Sequence, residues 1–187
     1  MDAIERALEG ARGFVSGHVE EARYTDSEAV AVADSSLRIR VTGPDGEELT
    51  TDFPASVGGS GSAPSPGWFL RAAEASCVAA LVVMRSASQG LDAIHVKVTV
   101  DSISDDRGIL GLDDSIPAGP ESTRVAIRVS GGDVEPERLD EICRWAVLHC
   151  PVVDAVRRHP AHGRDRDRVG AEEPARLPSP WPMRIDA

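Results

Sequence analysis

The stretch PGWFLRAAEASCVAALVVMRSAS, residues 66–88, decides the fold. Between Trp68 and Met84 its only charges are Arg71 and Glu74, and Arg85 follows immediately. At helical periodicity these three share one narrow stripe, and the remainder is mostly Ala, Val, Leu, Cys, Phe and Trp. Pro66 stands near the start and Gly90 just past the end, as helix start and stop signals require. Ala72, Ala73, Ala75, Ala79 and Ala80 allow other backbones to come close. A helix apolar on nearly every side is buried on most sides. In a chain of 187 residues that implies a central helix wrapped by sheet, or one packed against a second subunit.

Working outward toward the C-terminus, His95–Val100 alternates as His-Val-Lys-Val-Thr-Val and Arg124–Val129 as Arg-Val-Ala-Ile-Arg-Val. This period of two predicts strands, and the two segments are expected to pair antiparallel. The connection from Ser102 to Thr123 is longer than a hairpin needs. Its Asp105, Asp106, Asp113 and Asp114 match no EF-hand spacing, and no Glu closes the loop, so no metal is expected. Leu139, Ile142, Cys143 and Ala146 set the core stripe of an amphipathic helix from Pro136 to about His149. Cys150-Pro151 interrupts it, because a residue before proline is pushed out of the α region. A short helix, Pro151–Arg158, follows with Val153 and Val156 inward. From His159 to Ala187 five prolines and an Arg-Asp repeat predict an irregular tail.

Toward the N-terminus, Ile4, Leu8, Ala11 and Val15 define a short amphipathic helix from Asp2 to about Gly17. Residues 29–42 alternate as a strand pair or a bent strand, and Gly43-Pro44-Asp45-Gly46 predicts a turn into a further strand at Leu49–Phe53. The small-residue loop between Ser56 and Gly67 is no phosphate cradle: no GK[ST] follows, and its prolines remove N–H donors. It reads as a flexible or tightly turned entry into the long helix. The organisation expected is a single domain, with an N-terminal helix and first strand region over 1–35, the main domain over 36–158 and the tail over 159–187.

Thirty-one acids against 20 bases give a net charge of −11, which excludes a generic nucleic-acid binder, since such proteins need a cationic surface. No uninterrupted run approaches the ~20 apolar residues of a membrane span, and the acidic N-terminus has no signal-peptide core. A cytoplasmic protein is expected. Cys77, Cys143 and Cys150 fit no zinc spacing and no disulfide scaffold, and no cofactor is expected. Cys143, on its helix's apolar stripe, behaves as a small hydrophobe. Cys77, among alanines, is explained equally by packing or by chemistry. Cys150, just ahead of a helix that begins with proline, meets unpaired N–H groups and a helix dipole, which favour a thiolate.

Taken together, Ala63-Pro64-Ser65-Pro66, the apolar helix reaching Ala75-Ser76-Cys77, the strand pair, and His149-Cys150-Pro151-Val152 resemble the OsmC/Ohr family over roughly Ser36 to Arg158. That family contains thiol-dependent peroxidases of organic hydroperoxides. The resemblance implies an α+β fold in which curved antiparallel sheets surround long central helices of an interlocked homodimer. It also implies that Cys77 is the peroxidatic thiol, oxidised to a sulfenic acid, and that Cys150 resolves it as a disulfide, with a dithiol or other thiol as reductant. Cys143, seven residues before Cys150, lies ~10 Å from it along a regular helix, too far for a bridge. The chain departs from the family pattern where active members carry a Glu after the Ser-Pro dipeptide: Gly67 and Trp68 stand there. Glu74, a turn before Cys77, falls on the polar stripe and disfavours a thiolate unless paired, for instance with Arg71. Candidates for the family's activating guanidinium are Arg23, Arg38 and Arg40. The alternative is a protein of the same fold that binds an apolar small molecule at the dimer interface without turnover.

Overall fold

The computed structural model describes residues 2–33, 35–91, 94–131 and 134–158; the expected tail lies outside them. Among the described residues the chain forms two compact units, one holding residues 2–8 and 66–158, the other residues 9–65. The division falls within helix α1 (Asp2–Gly17), which forms where the Ile4 periodicity predicts it.

The smaller unit carries a three-stranded antiparallel sheet in the order β1 (Val30–Val32), β2 (Ile39–Thr42), β3 (Glu48–Thr51). Val41 stands between Ala31 and Leu49, and Arg40 between Val32 and Thr50. The predicted turn closes the β2–β3 hairpin, with Gly46 at φ +90°, a conformation that disfavours any residue with a Cβ.

Beyond β3 the small-residue loop is tightly turned, and a carboxylate organises it. Asp52 is 2% exposed. It accepts from the backbone N–H of Phe53 at 2.8 Å and of Ser62 at 3.0 Å, and from the hydroxyls of Ser60 at 2.5 Å and Ser62 at 2.9 Å. The Ser60 N–H donates as well, at 3.3 Å. These donors, led by the Ser60 hydroxyl, hold the carboxyl well below the usual range against the opposing effect of burial. The loop does cradle an anion, and the anion is its own chain's Asp52. Gly59 is required here, because a Cβ would stand 1.9 Å from the Phe53 carbonyl oxygen.

In the larger unit helix α2 (Pro66–Ala87) packs on a two-stranded antiparallel ribbon of β4 (His95–Ile103) and β5 (Ser122–Ser130), and helices α4 (Pro136–Leu148) and α5 (Pro151–Arg158) pack on α2. The ribbon has the expected antiparallel pairing, with Val98 opposite Ile127. Val96, Val98, Val125, Ile127 and Val129 face one side and pack on a buried cluster of Val78, Val82, Ile142, Ala146, Cys150 and Val153. Each buried Val or Ile contributes roughly 1.5–3 kcal/mol over exposure. The long β4–β5 connection holds a single helical turn, α3 (Asp106–Ile109), capped by Asp105, whose side chain accepts from the Arg107 N–H at 3.0 Å. Asp113 accepts from Ser115 in the same way. Two of the four aspartates thus serve local turns.

Two expectations for α2 are corrected. With 22 residues and an 18-residue window of mean hydropathy 1.5, it is long and apolar enough to cross a membrane by length and composition. Counting uninterrupted apolar residues misses this, because Arg71 and Glu74 break the run. Nor is the helix buried on most sides within this chain. The buried row is Glu74, Val78, Val82 and Ser86, each four residues from the last, so the stripe lies against the unit's own core. The apolar flanks are left partly bare: Trp68, Ala73 and Ala80 are exposed. Burial follows what packs on the helix, here β4, α4 and α5.

Candidate thiol site at the head of helix α5

Cys77 reaches the site from the middle of α2, and Cys150 from the joint between α4 and α5. That joint exists because Pro151 ends one helix and starts the next: α4 closes at Leu148, and α5 opens at Pro151, whose missing N–H is not needed in a first turn. Cys150 therefore caps α5, with the Val153 N–H donating to its Sγ at 3.5 Å. The tertiary structure brings the two thiols close enough for Cys150 to bear on the ionisation of Cys77. Cys150 is fully buried and Cys77 half-buried, so Cys77 is the sulfur that a solute can reach.

The electrostatics at Cys77 are divided. Burial pushes its thiol up, and the neighbouring Cys150 pushes the same way. Against them, the nearby Val152 N–H in the first turn of α5 favours the thiolate. Cys143, on α4, packs half-buried against the core as a small hydrophobe would. Its thiol is pushed up by burial and by Asp140.

Glu74 is the residue whose surroundings the sequence pattern misjudges. It is 2% exposed, and its Oε2 is buried without a hydrogen-bond partner. Arg71 does not pair with it but donates to Ser102 of β4 at 3.2 Å. Burial raises the Glu74 carboxyl above its ordinary value, partly offset by the charge of Arg157 on α5. Its spacing from Val78 and Val82 was the available signal, since a charge at i in a row of valines at i+4 and i+8 shares their fate. Arg85, on the same stripe, lies over the Trp145 ring at 5.0 Å, and His149 stacks on that ring at 4.2 Å. Of the three arginines considered for activation, Arg38 donates to Ser62 at 3.0 Å within the smaller unit, where Arg23 and Arg40 are exposed.

Similarity to known proteins agrees with this architecture. Among curated proteins none matches the sequence. Solved structures do. An OsmC-like protein from Mycoplasma pneumoniae aligns with a TM-score of 0.58 at 12% identity, over 71% of this chain and 88% of that one. An organic hydroperoxide resistance protein from Elizabethkingia anophelis gives 0.53 at 16%, over 72% and 90%. The organic hydroperoxide resistance protein OsmC of Legionella pneumophila, described as a predicted redox protein, gives 0.51 at 18%, over 71% and 90%. At such identities the likeness establishes the fold, a mixed α+β arrangement of helices on antiparallel sheets. The family model described as OsmC-like protein matches residues 59–162, a span that takes in α2, the ribbon, α4, α5 and both paired cysteines. On that match, and with the fold in agreement, the chain belongs to the OsmC-like protein family.

Proposed function

We propose that the protein is a thiol-dependent peroxidase of organic hydroperoxides, with Cys77 as peroxidatic and Cys150 as resolving cysteine. The observation that carries this reading is the closeness of a half-buried thiol, Cys77, to a fully buried one, Cys150, at the head of α5. The Cys77 sulfur attacks the terminal oxygen of ROOH; the O–O bond breaks, giving Cys77–SOH and ROH. Cys150 then displaces the hydroxyl as water and forms the disulfide, and an external dithiol returns both thiols. The roles follow from access, because hydroperoxide can reach Cys77 while Cys150 needs only to reach Cys77.

The working unit is an interlocked homodimer of this chain in the cytoplasm, with curved sheets around paired central helices. Only five of the 22 residues of α2 are buried within one chain, and the apolar flanks left bare need a cover. A second copy supplies it. Sedimentation should find a dimer that persists on dilution; a stable, folded monomer would overturn this part.

Cumene hydroperoxide consumption with dithiothreitol tests the chemistry. The wild type and Cys143→Ser should turn over, and Cys77→Ser should not. Peptide mapping after one equivalent of peroxide should recover a Cys77–Cys150 disulfide, and three free thiols after prolonged treatment would overturn the reading. One observation favours a second reading, a binder of apolar small molecules without turnover. Gly67 and Trp68 replace the family's carboxylate, and Trp68 is 49% exposed. A ligand retained in native mass spectrometry, with no peroxide consumed, would establish it.

A further inference from the structure

The larger unit buries one carboxyl group among its described residues, Glu74, and does so one helical turn from the thiol pair. An unpartnered oxygen at 2% exposure is costly, and a packed methionine or leucine would fill the space without that cost. Residues at i and i+3 of a helix are neighbours, ~5–6 Å apart at Cβ. Both lie on the side of α2 that meets α5, which is capped by Cys150, carries Val152 in its first turn and holds Arg157 in its last. Arg157 is the charged group that bears on Glu74 from α5. Arg71, on the same helix as Glu74, is turned to Ser102. The surfaces of β4 and α4 in the core beside α2 present Val96, Val98, Ile142 and Ala146.

We propose that Glu74 carries the proton of the thiol pair: its carboxylate takes the proton from Cys77 as the sulfur attacks, and its acid form gives that proton to the oxygen leaving the peroxide. The step rests on the peroxidase reading, and it balances. Cys77–SH and ROOH become Cys77–SOH and ROH; the sulfur gains the oxygen, the O–O bond breaks, and the thiol proton ends on the alkoxide. The carboxyl finishes as it began. The same cycle serves resolution, where the Cys150 proton leaves with the sulfenic hydroxyl as water. A fully buried Cys150 has no solvent to receive its proton, so a neighbouring buried acid–base group meets a need of the site. Burial makes a carboxylate here a stronger base than an exposed one, and the charge of Arg157 keeps that ionised form within reach.

The test uses the full chain and the variants Glu74→Gln, Glu74→Asp and Glu74→Met, with cumene hydroperoxide as oxidant. Single-turnover oxidation of Cys77 should slow by roughly 100-fold in Glu74→Gln and Glu74→Met, with partial recovery in Glu74→Asp. Oxidation at the wild-type rate with an unchanged pH profile would overturn the proposal. A second readout does not need peroxide: the pH profile of Cys77 alkylation by iodoacetamide, read by peptide mapping. The wild type should show two inflections, one from Glu74, and Glu74→Gln only one. If the wild type consumes no peroxide, the peroxidase reading fails, and the alkylation profiles still decide whether Glu74 exchanges a proton with Cys77. Identical alkylation profiles overturn the proposal, as does failure of both the Gln and Met variants to fold, since that would make the carboxyl a packing element.

Discussion

Among the described residues two carboxyl groups are buried to the same extent, and their surroundings treat them in opposite ways. Asp52, in the smaller unit, is met by backbone N–H groups and two serine hydroxyls, and its carboxyl is held far below the ordinary range. Glu74, in the larger unit, keeps an oxygen with no partner, and its carboxyl is raised. Both are 2% exposed, so burial alone does not decide the charge state of a buried acid. Donors do. A loop of Gly and Ser can bend its N–H groups onto an anion, whereas a helix interior has already committed its own to the helical ladder. The first carboxyl builds structure, and the second is free for chemistry.

The largest expected effect comes from disturbing the cradle. Gly59→Ala should destabilise the protein by about 3 kcal/mol in chemical denaturation, because the added Cβ meets the Phe53 carbonyl and the loop must open. Asp52→Asn should also lower the midpoint, since an amide NH2 faces donors where the carboxylate accepted. A Gly59→Ala variant as stable as wild type would show that the loop has another conformation of equal energy.

Acid titration separates the two groups by the sign of their slopes. The folded Asp52 is depressed below its unfolded value of about 3.9, so the unfolded chain binds more protons. Its contribution is complete above that value and is lost as pH falls through the folded one. Glu74 is raised above about 4.3, so the folded chain binds more protons. Its contribution is complete below that value and is lost as pH rises through the folded one. Stability against pH should therefore lose its steep acid limb in Asp52→Asn and its decline on the alkaline side of 4.3 in Glu74→Gln. Parallel curves for both variants would remove the contrast.

A smaller effect, of opposite sign to the first, is expected of Glu74→Met. Replacing an unpartnered buried carboxyl by an apolar side chain of similar volume should raise stability by about 1 kcal/mol in denaturant unfolding at pH 7. A loss of several kcal/mol would mean that the Arg157 interaction supports the packing of α5. Least of all should change at an exposed carboxylate. Arg144→Ala removes the partner of Asp140 in an exposed i,i+4 pair and should cost no more than about 0.5 kcal/mol.

Much of the fold is legible in the local pattern. The period of two in His95–Val100 and Arg124–Val129 marks the ribbon, the Gly43–Gly46 turn marks a hairpin, and Pro151 marks the break that leaves Cys150 at a helix head. These signals are local, because proline geometry and side-chain periodicity act within a few residues. The candidate site is legible only in part. The two cysteines stand out by type and position, and the neighbouring Glu74 reads only as a member of a polar stripe.

What the sequence determined by itself is which residues share a face. Arg71, Glu74 and Arg85 lie on one stripe of α2 whatever surrounds it, since the helical repeat allows nothing else. Which face is buried was left to the tertiary structure. The row Glu74, Val78, Val82 and Ser86 turns inward because β4, α4 and α5 pack there. The same non-local packing brings Cys77 close to a cysteine 73 positions away, and in the smaller unit the turned loop wraps Ser60 and Ser62 around Asp52. No periodicity encodes those meetings. They depend on where separate elements come to rest, and only the folded chain fixes which donors reach a buried acid.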